Sequence, residues 1–394
     1  MLEWSVWLKD GQKINEKGRI VGKAPRSRIA SFWLNGVAAG FKTWPTLVIE
    51  YLNAQAEFER TSSETALQTF YNTSLSEPYV PKRLELERLP EVLMERAEPF
   101  EELQVHSGVR FLVACVDVQR TRFVVQVHGI GPGIPYDITI VDRFSITKSN
   151  RVDGDGDIDR IRPGTYVDDW ELLVDRVMEK TYPLDDGTGR RMAIKLTVCD
   201  SGGEDGVTTN AYEFYRQIRK RGIASRFHLL KGNPVITAPR TYIDYPDSRQ
   251  KGKMSAARGD VPVLFMNSNL LKDALNHRLD SLTPGKGMIR FPNWLPVWFY
   301  KELCVEHRDE RGRWEGTRGI RNETWDLLYY CIGVCASSLL RAESISWISP
   351  PIWADDWSRN PLVLKADAPE KAPLTLTSTL SSSISFAELG RDIA

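Results

Sequence analysis

Three carboxylates stand where packing alone does not call for them. Asp117 lies near the end of FLVACVDVQ, Phe111–Gln119, an apolar and β-branched run of the kind that forms a buried strand. Asp200 ends a second such run, AIKLTVCD, just before Ser201-Gly202-Gly203. Asp326 falls near the start of a long apolar helical pattern, Asn322–Leu340. A carboxylate in such surroundings needs a partner, and a metal ion is one. Oxygen-only ligands with open positions suit Mg²⁺ or Mn²⁺. Two such ions about 4 Å apart would suit hydrolysis of a phosphodiester by water. Asp is also common in turns at strand ends, and the pattern alone leaves that role open for Asp117 and Asp200. Glu323 precedes Asp326 by three residues and shares its helix face, so either could be the third ligand. A place in the first turn, favourable to the helix dipole, is the plainer role for Glu323.

Residues that could touch a phosphate backbone come next. Gly202 and Gly203 permit close approach of a backbone, although an ordinary strand-to-helix turn explains them as well. Arg216, Arg219, Lys220, Arg221, Arg226 and Lys231 form one basic run, and Arg249, Lys251, Lys253 and Arg258 a second. Either could grip DNA without regard to sequence. A solvated helix face accounts for the first run nearly as well, and the second sits in a Gly- and Lys/Arg-rich excursion that favours DNA contact. Lys+Arg and Asp+Glu are equal at 52 each, so any nucleic-acid partner must be recognised by such local patches and not by bulk charge.

Other chemistries are excluded by pattern. No GxxxxGK[ST] phosphate loop, HExxH or GxSxG occurs. The alternating acids of VDGDGDID lack the Gly and Glu a calcium loop needs at its sixth and twelfth positions. Five Cys with no CxxC support neither a disulfide framework nor a zinc site, and suit a reducing compartment. No apolar window is long enough to span a membrane and no signal-peptide pattern opens the chain, so a soluble intracellular protein is expected.

The elements that must position the acids follow from periodicity. FLVACVDVQ and RFVVQVHGI form a hairpin, with a third strand expected at Tyr136–Arg143. Trp170, Leu173, Val174 and Val177 predict a helix, AIKLTVCD a strand, Ala211–Ile218 a helix, Phe227–Lys231 a strand, and VPVLFM a return to the sheet. Ser268 is the expected cap of a further helix, and a charged hairpin is expected over Leu303–Trp314. The order implies an α/β fold with a sheet of mixed direction, antiparallel on the hairpin side. Ahead of it, residues 1–107 read as helix, loop and linker, with a helix over Thr43–Arg60. Beyond residue 342 the chain reads as a tail, with disorder expected at its far end.

Five segments, SFWLNG at 31–36, LQTFYNTSLSEPY at 67–79, VDVQ at 116–119, CDSGG at 199–203 and RNETWD at 321–326, fall in an order that resembles the large terminase subunit of tailed phages in its lambda-like branch. The likeness covers about residues 30–340. It implies an RNase H-like nuclease domain at 108–342, preceded by the end of a packaging ATPase region and its linker at 1–107 and followed by a tail at 343–394. The ATP-binding motifs are missing, so the resemblance implies a truncated form or a subunit encoded apart from its motor. It further implies Mg²⁺ or Mn²⁺ on Asp117, Asp200 and Asp326, and cleavage of concatemeric double-stranded viral DNA in the host cytoplasm during packaging. The implied partners are the small terminase subunit and the portal protein. Alternatives are a junction resolvase or transposase on the same scaffold, and a non-catalytic module docking DNA and portal.

Overall fold

In a computed structural model, FLVACVDVQ forms strand β1 (Phe111–Gln119), whose first seven residues are buried. The structure describes residues 6–26, 28, 33–80, 88–152, 156–203, 205–246, 259–309, 313–317 and 319–366. By contacts the chain divides into two units: Met1–Phe58 with Glu64–Arg83, and Glu59–Ser63 with Leu84–Ala394. In the first, helix α1 (Trp44–Thr61) supplies Leu47 and Ala54 to a small core with Leu67 and Phe70. The second unit carries the sheet and the acids.

The turn at Arg120-Thr121 leads from β1 into β2 (Arg122–Gly131), which pairs antiparallel with it, and β3 (Asp137–Ile146) pairs antiparallel with β2. Further along come β4 (Thr181–Pro183), β5 (Arg191–Asp200), β6 (Phe227–Asn233), β7 (Thr241–Asp244), β8 (Val263–Asn267) and the short β9 (Ile289–Arg290). Strands β5, β6 and β8 add in parallel on the other side of β1, giving the order β7-β8-β6-β5-β1-β2-β3-β9. A three-strand antiparallel meander joined to parallel strands at its first strand is the RNase H-like arrangement. The mixed directions expected from the hairpin and the strand–helix alternation are thus present.

Side chains alternate faces along a strand. On one face of the sheet, Phe123 meets Trp170 at 5.3 Å between ring centroids. Trp170 in turn meets Phe214 of helix α2 (Val207–Lys220). On the other face lies helix α5 (Glu323–Ala336), preceded in the chain by α3 (Ser268–Asp280) and α4 (Val297–Glu302). Almost every residue of α5 is buried, because it crosses β1 and leaves no side to water. Gly333 permits this approach: a Cβ there would lie 2.3 Å from Met266 Sδ of β8.

Several expectations change in detail. The cap of α3 is Asn267, whose side chain accepts from the Leu270 amide, and not Ser268. Asn267 is held there by three further bonds to the carbonyls of Val235, Ile236 and Ala238. Residues 167–178 coil as short 3-10, α and π turns and not as one regular helix. The charged hairpin is β10 (Glu306–Arg308) with β11 (Trp314–Gly316). The chain beyond residue 342 packs on the unit as far as residue 366. Trp357 donates to the Val109 carbonyl at 2.7 Å, Asn360 to that of Arg110 at 2.6 Å, and β12 (Val363–Leu364) pairs with β5. The serine-rich stretch at 375–385 lies outside the described residues. Among the described residues, no helix is long and apolar enough to cross a membrane.

Candidate active site

Strand register decides where the first two acids go. Val116 pairs with Cys199 between the parallel strands β1 and β5. One step further along lie Asp117 and Asp200, neighbours on one face of the sheet. Cys115 shares that face by alternation, and Cys331 of α5 hydrogen-bonds it, so the face is the one α5 covers. Helix α5 runs antiparallel to β1, which brings its first turn, with Glu323 and Asp326, to the Asp117 end.

The charges of all three aspartates are felt at one place. Burial raises Asp117, while Gln119 and the guanidinium groups of Arg143 and Arg122 pull it back. Burial pushes Asp200 up to about 6, and the charge of Asp117 adds to this. Burial pushes Asp326 up to about 7, with Lys272 opposing and Glu306 and Asp117 adding. The hydroxyl of Tyr330, wholly buried on α5, is raised well above its usual range first by burial and then by Tyr329 and all three aspartates.

Each acid is also oriented. The Gln119 amide donates to Asp117 Oδ2 at 2.5 Å. The Gly202 amide donates to Asp200 Oδ1 at 3.2 Å. Lys272 Nζ, on α3, stands 3.4 Å from Asp326 Oδ1 and 2.7 Å from Glu306 Oε2. Glu306 also accepts from Asn322 at 2.7 Å. Glu323, the alternative third ligand, is engaged by Arg122 at 2.6 Å.

Among the described residues, no three His, Cys, Asp or Glu side chains are close enough to share one ion. Asp200 and Asp326 each feel the charge of Asp117, without the three forming a closed ligand cage. The donor set nevertheless fits Mg²⁺ or Mn²⁺, which keep water and are commonly held by one or two carboxylates together with substrate phosphate.

The other sequence candidates divide. The amide of Gly202 is directed at Asp200, and Gly203 has φ +107° with open space where a side chain would be. Lys231 on β6 lies near enough to Asp200 to favour its ionised form. Arg249, Lys251 and Lys253 lie outside the described residues. The first basic run does not make a free cationic face. Arg216 and Arg219 pair with Asp260 at 3.1 and 2.7 Å, and Arg221 with Glu171 at 2.6 Å. Arg226 is buried and donates to the carbonyls of Met178 and Ile194.

Sequence reasoning missed Lys272, Glu306, Arg122 and Arg143. Only Lys272 carried a signal, since it falls between Leu271 and Leu275 on the apolar stripe of its helix. A cation there has to find an acid.

Comparison with known proteins places the chain in a family. Residues 29–347 match the family described as terminase large subunit gpA, endonuclease domain. The chain belongs to that family. It is 26% identical over 353 residues to the large terminase subunit of Escherichia phage lambda, covering 85% of this chain and 48% of the relative. It is 28% identical over 247 residues to that of Enterobacteria phage P21, covering 60% of this chain and 32% of the relative. The chain therefore spans about half or less of the length of these terminase subunits.

Proposed function

We propose that this chain is a metal-dependent DNA endonuclease that cuts concatemeric double-stranded viral DNA when a genome is packaged. The observation that carries this is the register that sets Asp117 beside Asp200 under the first turn of α5, where Asp326 adds a third buried carboxylate. Asp117, Asp200 and Asp326 would hold Mg²⁺ or Mn²⁺, in all two ions. Bound there, they would provide Lewis acidity for activating water and for stabilising the leaving oxygen. The chain's own residues prepare that site. Gln119 and the Gly202 amide fix the two strand-end carboxylates, and Lys272 keeps Asp326 balanced against Glu306. No side chain need act as nucleophile.

Membership of the terminase family supports the setting. In it, residues 1–107 are the end of an ATPase region with its linker, 108–342 the nuclease, and 343–394 a tail fastened to it as far as residue 366. The partners are the small terminase subunit and the portal, and the site of action is the host cytoplasm. The test is cleavage of supercoiled plasmid in Mg²⁺ or Mn²⁺. Nicking that Asp117→Asn abolishes is expected; an Asp117→Asn chain that cuts as fast as the parent refutes the assignment.

A further inference from the structure

Beside the strand that carries Asp117 a cleft of about 490 Å³ opens across β2 and β3. Its floor continues the row of the acids. Asp117 pairs across the sheet with Val124, and Val124 with Ser145; both partners line the cleft. Ser145 is two strand spacings from Asp117, or about 10 Å. The walls carry Arg122, Arg143, Lys301 and Arg321, against the two carboxylates Glu302 and Glu323. Those carboxylates are engaged by Arg143 at 3.5 Å and Arg122 at 2.6 Å. Lys301 and Arg321 are both exposed, and neither has a counter-ion among the described residues. Trp298, 48% exposed, stands over the cleft with the Arg143 guanidinium 5.7 Å from its ring, and Ile320 is 55% exposed at the rim.

We infer that this cleft holds a stretch of single DNA strand adjoining the cut, with its phosphates on Lys301 and Arg321 and a base or sugar against Trp298. The inference rests on the nuclease reading, since the row from Asp117 gives the strand its direction. A cavity of this size takes a small-molecule-sized fragment, here roughly one or two nucleotides. That volume takes part of one strand and not a length of duplex. Free cations beside an exposed aromatic ring are what a nucleic-acid strand without sequence preference needs. The cleft therefore requires the strand to leave the duplex path on one side of the scissile bond.

The experiment measures binding of a fluorescent oligothymidylate to the whole chain in EDTA, across a salt series. For Lys301→Glu with Arg321→Glu, affinity should fall about tenfold or more, and the slope of log K against log salt should shrink by about 1.4, as expected for two lost single-strand phosphate contacts. Trp298→Ala should weaken binding roughly 5- to 150-fold, and Trp298→Phe should restore much of it. Thermal stabilisation by Mn²⁺ should be unchanged in the charge variant, whose two substituted side chains are exposed. If affinity and slope stay at parental values, or if the parent binds no oligothymidylate, the inference is wrong. Failure of the nuclease reading alone looks different: no cleavage in Mn²⁺, while binding still depends on Lys301, Arg321 and Trp298.

Discussion

Removing one aspartate of the trio should make the metal-free protein more stable while it ends catalysis. Asp326→Asn is the sharpest case. Burial, with Glu306 and Asp117 adding, lifts its carboxyl from 3.8 to about 7 against the opposing charge of Lys272. A rise of about three units corresponds to a ceiling of about 4 kcal/mol, at roughly 1.4 kcal/mol per unit. The side chain is 21% exposed, so about 1–3 kcal/mol is the expected share. The sign follows from linkage. A raised folded-state pKa favours the native state below pH 3.8, and that advantage is lost as pH climbs to 7. At pH 8 the parent carries the whole cost of an ionised buried carboxylate, which asparagine avoids, and Lys272 keeps Glu306 as its partner in the variant. Thermal unfolding in EDTA should place the variant about 2–10 °C above the parent at pH 8. The gap should shrink towards pH 5. An Asn variant that melts below the parent at pH 8, or equally above it at both pH values, refutes the electrostatic reasoning.

Other outcomes follow from the same contacts. Lys272→Met leaves Glu306 and Asp326 buried without their cation, so it should lower stability by about 3–5 kcal/mol in EDTA, and Mn²⁺ should return part of that loss in a denaturant titration. His106, stacked on Phe100 and bonded to Thr139, is pushed down to about 4 by burial and by Arg290. A depressed folded-state histidine means stability is full above about pH 6.5 and falls by up to about 3 kcal/mol as pH drops to 4; His106→Gln should flatten that limb in pH-dependent unfolding. Gly333→Ala should cost about 1–3 kcal/mol, because its methyl meets Met266 and Leu271 and pushes α5 off β8; a melt unchanged from the parent would mean the helix can move without cost.

What could be read from the chain before folding depended on how local the cause was. The strand carrying Asp117 announces itself because seven consecutive residues are buried on both faces, and such a run has few other uses. The parallel partner ending in Asp200 is legible for the same reason. The register that sets these two acids side by side is not, since it follows from how the chain between them, with β2, β3, the turns of residues 167–178 and β4, folds back. Lys272 meets Asp326 from a helix 54 residues away in sequence, and Arg122 meets Glu323 across 201, so no local pattern could pair them. The basic run at 216–226 misled because composition shows cations but not the acids that fold onto them. Asp260, which takes two of those arginines, lies beyond the next two strands, β6 and β7. The chain after residue 342 looked like a tail because it has no periodicity. Its attachment depends instead on single contacts, Trp357 and Asn360 bonding the carbonyls that lead into β1.

The most direct measurement is anomalous diffraction from crystals soaked in Mn²⁺. Peaks are expected about 2.1 Å from carboxylate oxygens of Asp117 and Asp200, with Asp326 reaching an ion directly or through water. Manganese confined to surface carboxylates, with Lys272 still closing on Asp326 and no peak beside β1, would contradict that expectation.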